Sequence, residues 1–318
     1  MTTLLEESLI AQLSRVYTDR IFQEESETMA KISRRDLVIS LSAAAAGAFL
    51  LPKTVTASGL EKIVKKGRLK QSVSWWCYQR NFKLPEFARI VADMGLTAID
   101  LLQPNECEVI KEFGLICSMG YAEAAKIPDG LNNKANHDAI VKGLEKGIPL
   151  AEKMRVPNLI AFFGNRRGMS DTEALDNCVT GLNRIKKMAE DHGVNICVEL
   201  LNSKVDHKDY QGDRSDFGLQ VVKAVASPRV KLLFDIYHVQ IMEGDIIRTI
   251  RNNHQYIGHY HTGGVPGRHE LDDTQELNWA TVCRAIADTD FKGYVAHEFV
   301  PTRDPIKSLS EAVALCDV

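Results

Sequence analysis

From Gln71 onward the chain alternates two apolar patterns. Short, nearly continuous apolar runs read as buried strands: Gln71–Trp76, Thr97–Leu101, Leu115–Ser118, Asn158–Phe163, Gly193–Glu199, Lys231–Asp235, Tyr256–His261 and Tyr294–Glu298. Between them, apolar residues recur at helical spacing over Leu84–Met94, Val109–Phe113, Asn136–Met154, Asp171–His192, Asp216–Ala226, Asp245–Asn252, Leu277–Asp288 and Ile306–Leu315. The punctuation agrees. Pro85 sits in a first turn and Gly95 follows that helix's last apolar residue. Gly114 ends the second helix, while Ser170 or Asp171 caps a later one that Gly193 closes. Strand and helix alternating in equal number imply parallel strands joined by helical crossovers.

Alternation alone fits both a doubly wound sheet and a closed barrel; the strand ends separate them. Four successive strands finish on a residue able to bind a metal ion, namely Glu199, Asp235, His261 and Glu298. In a (β/α)8 TIM barrel the C-terminal strand ends converge on one face, whereas an open sheet spreads them along an edge. The fold expected is therefore α/β, a (β/α)8 TIM barrel, with these four residues around one point. A single acid at a strand end is commonly a helix cap or a solvated loop residue, but capping does not account for four in matched positions.

Three carboxylates and one imidazole make an oxygen-rich site suited to Mn²⁺, Mg²⁺ or Co²⁺, with Zn²⁺ also admissible. Such an ion binds two vicinal oxygens and polarises a carbonyl. Glu199 and Glu298, each ligand and acid/base, then form the expected catalytic pair, removing and returning a proton at the adjacent carbon through a metal-stabilised enediolate. Further candidates for substrate contact are His238, three residues after Asp235, and Arg268 in the glycine-rich loop Thr262–Glu270. Arg166, beside Arg167 after the fourth strand, and Trp75, beside Trp76 at the end of the first, complete the set. One of the two tryptophans is expected to wall the barrel mouth and the other to pack outward. His259 and His297 are expected to face away from the ligands.

The composition narrows the function. In 318 residues, 45% hydrophobic and 25% charged, the chain has the balance of a soluble globular protein with a large core. Its net charge of -3 gives no electrostatic reason for nucleic acid as a partner. Seven cysteines without a C-x-x-C pair read as buried free thiols. Before the barrel, Arg34-Arg35 precede an alanine-rich apolar run over Leu37–Leu51, and Val55-Thr56-Ala57 offers a cleavage site. This predicts a twin-arginine export signal within residues 1–57, a mature barrel domain over 58–318, and a periplasmic location. The apolar run is too short for stable membrane insertion. Met29 offers an alternative initiator that would shorten the unusually long stretch before the twin arginine.

Val198-Glu199-Leu200-Leu201-Asn202, Phe234-Asp235-Ile236-Tyr237-His238, Gly258-His259-Tyr260-His261 with Val265-Pro266-Gly267-Arg268, and Ala296-His297-Glu298-Phe299 together resemble the hydroxypyruvate isomerase family. That family belongs to the xylose-isomerase-like TIM barrels, which also contain the ketose 3-epimerases. The resemblance runs from about Gln71 to the C-terminus. It implies a divalent metal on Glu199, Asp235, His261 and Glu298, the two glutamates as catalytic pair, and substrate contacts from His238 and Arg268. It also implies a small sugar or keto-acid substrate. Hydroxypyruvate isomerases often carry glutamine where His261 stands, and the 3-epimerases carry histidine, so the resemblance supports an isomerase or an epimerase. The alternatives are a metal-dependent lyase of the keto-cyclitol dehydratase type and a non-catalytic exported sugar-binding barrel. A nuclease of the same superfamily would need a basic groove and more metal ligands. Barrels of this type commonly self-associate through mouth-side loops, so a homo-oligomer is compatible with the pattern.

Overall fold

In the computed structural model, which describes residues 62–318, every pairing between named strands is parallel. The signal segment read over residues 1–57 lies outside the described residues. The strands are β1 (Lys70–Ser74), β2 (Ala98–Asp100), β3 (Ile116–Cys117), β4 (Gly120–Tyr121), β5 (Asn158–Phe162), β6 (Asn195–Glu199), β7 (Val230–Asp235), β8 (Ile257–Thr262) and β9 (Tyr294–His297). Their order is β3-β2-β1-β9-β8-β7-β6-β5-β4.

The two ends of this order, β3 and β4, are separated in sequence only by Ser118 and Met119. β3 pairs with β2 and β4 with β5. Between them the Leu101 amide donates to Met119 O at 2.8 Å, and Leu102 bridges Gly120. They are two halves of one strand position, and through them the sheet meets itself as a TIM barrel. The third strand expected over Leu115–Ser118 thus runs on to Tyr121 with a break.

The helices are α1 (Leu84–Met94), α2 (Pro104–Lys111), α3 (His137–Met154), α4 (Asp171–Asn183), α5 (Lys186–His192), α6 (Ser215–Val225), α7 (Ile236–Met242), α8 (Ile246–Asn253), α9 (Trp279–Ala287) and α10 (Pro305–Cys316). α1 starts with proline in its first turn and ends on Gly95 at φ +89°, a left-handed cap that favours glycine. Two differences from the expected helices have local causes. The single helix read over Asp171–His192 breaks where Ile185 leaves helical geometry (φ -123°, ψ -16°). α7 follows β7 directly because Asp235, itself a strand end, caps it by accepting from the His238 amide at 3.3 Å. Among the described residues, no helix is long and apolar enough to cross a membrane.

The strands are buried on both faces, as a parallel barrel requires. Outward residues meet the helices: His297 Nε2 pairs with Gln71 Oε1 at 2.8 Å, and Gln71 Nε2 donates to Val313 O of α10 at 3.2 Å. The interior is unusually polar for such a barrel, whose layers are ordinarily branched aliphatics. Asn195 Nδ2 donates to Asn158 Oδ1 at 2.8 Å, Asn158 Nδ2 to Ser118 O at 2.8 Å, and Ser118 Oγ to Asp100 Oδ1 at 2.5 Å. A run of hydrogen bonds therefore climbs from the strand starts to the strand ends.

Candidate metal centre

β6 ends at Glu199, β7 at Asp235, and Glu298 directly follows β9; His261 is the penultimate residue of β8. Register keeps these ends level, since Asp235 stands opposite His261 and His261 opposite Ala296. All four are buried, and one potential ligand atom from each lies within 4.8 Å of the others. His261 Nδ1 faces the three carboxylates: it is in close contact with Glu298 Oε2, 3.5 Å from Glu199 Oε1 and 3.7 Å from Asp235 Oδ2.

The other ring nitrogen explains why Nδ1 points there. His261 Nε2 donates to Asp100 Oδ2 at 2.9 Å, and Asp100, at the end of β2, is completely buried. A carboxylate on the far nitrogen fixes the tautomer and turns the near nitrogen toward a metal. Asp100 is held in turn by Ser118 Oγ at 2.5 Å and Ser74 Oγ at 3.4 Å. His259 Nε2 lies 3.1 Å from Asp100 Oδ1 but out of line, so both its ring nitrogens lack a hydrogen-bond partner.

The charge is unbalanced. Asp100, Glu199, Asp235 and Glu298 converge while one guanidinium, Arg268, answers them. Arg268 Nη2 donates to Asp235 Oδ2 at 2.6 Å and to Glu298 Oε2, and its Nε donates to Glu298 O at 3.2 Å. Its Cζ lies over the Trp76 and Tyr237 rings, 5.6 and 5.2 Å from their centres. Burial alone would raise every carboxylate here. Burial takes Glu199 to about 7. At Glu298 burial is outweighed by Arg268 and His261, which bring it down to about 2. Asp235 is likewise lowered against burial, by His238 and Arg268. Burial acts to lower His261, but Glu298 and the Asp100 bond hold it well above the usual imidazole range. An excess of buried anion around an imidazole nitrogen with no hydrogen-bond partner is the donor set of a divalent-cation site.

His238 and Arg268 join the cluster. His238 is buried, with Nδ1 2.6 Å from Asn202 Nδ2 and Nε2 3.2 Å from Arg268 Nη1. Burial pushes it well below the ordinary histidine value. The tryptophan that reaches the cluster is Trp76, whose Nε1 donates to Glu298 Oε1 at 2.6 Å. Trp75 instead packs on Phe87, with ring centres 5.5 Å apart, and donates to Glu106 Oε1 at 3.2 Å. The reason is that β1 stops at Ser74 and Trp75–Cys77 form a 3₁₀ turn, which cancels strand alternation at this pair. Arg166 is also placed elsewhere, bonded to Asp171 Oδ1 at 2.8 Å and Asp213 Oδ1 at 2.7 Å.

His297 faces outward, as alternation from Glu298 requires. His259 does not: it lies two residues before His261, hence on the same face, and points at Asp100. Sequence reasoning also passed over Asp100, although it ends the second strand as the other acids end theirs.

Relatives and neighbours share this frame. A Danio rerio protein named "Putative hydroxypyruvate isomerase" is 24% identical over 247 residues, covering 71% of this chain and 87% of its own. A Cupriavidus necator 2-oxo-tetronate isomerase is 34% identical over 109 residues, 34% of this chain and 41% of its own. Among solved structures, the Brucella melitensis AP endonuclease, family 2, superposes with a TM-score of 0.67 at 20% identity over 76% of this chain and 97% of that one. D-psicose 3-epimerase in the presence of D-fructose gives 0.60 at 20% identity, covering 78% and 94%. The IOLI protein with a bound zinc atom gives 0.60 at 15% identity, covering 78% and 95%. These structures share the fold, and the curated homologues bear isomerase and epimerase names. The family model described as xylose isomerase-like TIM barrel matches residues 81–316, and the chain belongs to that family.

Proposed function

We propose that this chain is a divalent-metal-dependent isomerase or epimerase of a small keto-sugar or hydroxy-keto acid, with Glu199 and Glu298 as its proton-transfer pair. The observation that carries the reading is the buried meeting of Glu199, Asp235, His261 and Glu298 around the unpartnered His261 Nδ1. The isomerase and epimerase names of its homologues support the class. An ion held by these four residues supplies Lewis acidity at a substrate carbonyl and orders two vicinal oxygens.

The chain's own residues divide the remaining work. Glu298 is held on both oxygens, by Trp76 Nε1 on Oε1 and by Arg268 Nη2 on Oε2. Such a clamp fixes one orientation of the carboxylate before substrate arrives. Glu199 is held more loosely, with His261 Nδ1 at 3.5 Å. In the metal-free protein its acid form persists to about 7, so it exchanges protons near neutrality. One carboxylate removes the proton from the carbon beside the carbonyl. Its return to the neighbouring carbon isomerises the substrate, and its return to the opposite face of the same carbon epimerises it. His238 Nε2 lies 3.2 Å from Arg268 Nη1, and since a guanidinium nitrogen only donates, the imidazole nitrogen accepts there. His238 thereby positions the Arg268 guanidinium, which offers its remaining donors to a substrate oxygen.

The test is proton exchange in D₂O with the metal-loaded protein and a panel of ketoses, keto-cyclitols and hydroxypyruvate. Metal-dependent deuterium at the carbon beside the carbonyl, with mass otherwise conserved, is the expected result. Loss of water from the product identifies a lyase, and no exchange with any compound contradicts the proposal. We also read the mature chain as starting near Ser58 after twin-arginine export; a periplasmic fraction without that N-terminus would refute this.

A further inference from the structure

The opposite end of the barrel carries the other sign of charge. A pit of about 650 Å³ opens among the strand starts, lined by Lys70, Arg155, Arg229, Lys231 and Lys292, with Asp290 as its single acid and His254 alongside. The chain as a whole is net -3, so this local excess runs against the average.

None of the five cations forms an ion pair among the described residues, and those that have partners bond to neutral ones. Lys231 Nζ donates to Gln255 O at 2.5 Å, and Arg229 Nη1 to Asn195 Oδ1 at 3.3 Å. Lys70 Nζ lies 5.6 Å from the centre of the Tyr294 ring. Arg229 is anchored further, because Asn195 donates to Asn158 and Asn158 to Ser118 O. The guanidinium is thus held by amides with no carboxylate to neutralise it. Cations near helix C-termini are often explained by the helix dipole, and Arg155, which caps α3, fits that account. Lys70 and Lys231 lie in strands, Arg229 directly precedes β7 and Lys292 lies in the approach to β9, so it does not extend to them. Loss of water through burial lowers the Lys231 pKa, and repulsion by Arg229 lowers it further. Like charges gathered in a concave surface focus a positive potential that a bound anion relieves.

We propose that this pit binds a small, multiply charged anion of the phosphate class, with half-buried Arg229 and Lys231 as its principal ligands and the exposed Lys70, Arg155 and Lys292 around its rim. Arginine's fork and lysine's point charge are both suited to phosphate oxygens. The volume admits a molecule with two phosphoryl groups.

The probe is propane-1,3-diyl bisphosphate, which has neither the carbonyl nor the free vicinal oxygens that the mouth reads. Calorimetric titration of the full-length, metal-loaded protein at physiological salt should show one site with Kd below about 1 mM. Inorganic phosphate should bind the same site more weakly. Arg229→Gln and Lys231→Gln should each weaken binding by about tenfold or more, the loss of one charge-assisted hydrogen bond. Glu199→Gln, at the mouth, should leave it unchanged. If a half-buried variant fails to fold, the exposed pair Lys70→Gln and Lys292→Gln should give a smaller weakening in the same direction. No binding at millimolar probe, equal affinity in the folded pit variants, or loss of binding in Glu199→Gln each overturns the proposal.

Discussion

The two ends of this barrel solve opposite electrostatic problems with different materials. At the mouth, four carboxylates meet one guanidinium, and all but Glu199 are fixed by a hydrogen bond to another side chain. At the base, five cations meet one acid, and those with partners are held by amides, carbonyls or an aromatic ring. The mouth is deeply buried, so its imbalance acts through low-dielectric surroundings and shifts proton affinities strongly. The pit is open, so water screens most of its imbalance. The lesson is that similar charge excesses have different consequences according to burial. On the two proposals above, a cation at the mouth would offset buried charge, whereas an anion in the pit would relieve charge that water already screens.

The sharpest way to break this contrast is to remove a proton carrier. Glu298→Gln and Glu199→Gln should each reduce kcat by about 10²–10⁴-fold while far-ultraviolet circular dichroism stays native. A loss smaller than about tenfold takes that residue out of the pair. Next in size is the guanidinium of the mouth. Arg268→Ala leaves buried carboxylates without their counter-ion, and in urea unfolding the metal-free protein should lose about 3–5 kcal/mol. Saturating divalent metal should recover much of that loss; an equal loss with and without metal would show that Arg268 acts through packing alone.

A smaller effect tests the tautomer lock. Asp100→Asn keeps the shape but removes the charge behind His261, and metal affinity measured by calorimetry should fall about 10–100-fold. An unchanged affinity would make Asp100 merely structural. The mildest test uses pH. The folded Glu199 carboxyl titrates at about 7 against an ordinary value of 4.5, so the folded state binds more protons than the unfolded state between those values. Its contribution to stability is therefore fully present below pH 4.5 and declines as pH rises toward 7. The difference in stability between the metal-free wild type and Glu199→Gln should follow that slope, and a difference independent of pH would contradict the assignment.

Much of this was legible in the chain because it is local. Helical spacing and Gly95 defined α1 from its own residues, and an acid or imidazole ending each of four strand-like runs announced the mouth. What escaped depends on distant partners or on parity. The Asp100–His261 bond joins residues 161 apart, and the Arg166–Asp213 pair that occupies Arg166 spans 47. The break between β3 and β4 is defined by which neighbour each half pairs with, which no run of residues encodes alone. Trp75 and Trp76 exchanged their expected places because the strand ends one residue before them. His259 was available to sequence reasoning, since residues two apart in a strand share a face.

The polar column through the barrel also bears on mutational tolerance. An aliphatic interior can be repacked, because volume and shape are its chief demands. Here each side chain answers the next: Ser118→Ala would leave Asp100 Oδ1 short of its donor, and Asn158→Leu would release both Ser118 O and Asn195. Substitutions in the middle of this barrel therefore propagate as unmet hydrogen bonds rather than as voids. A designer seeking a new substrate has freedom in the mouth-side loops and almost none along the axis.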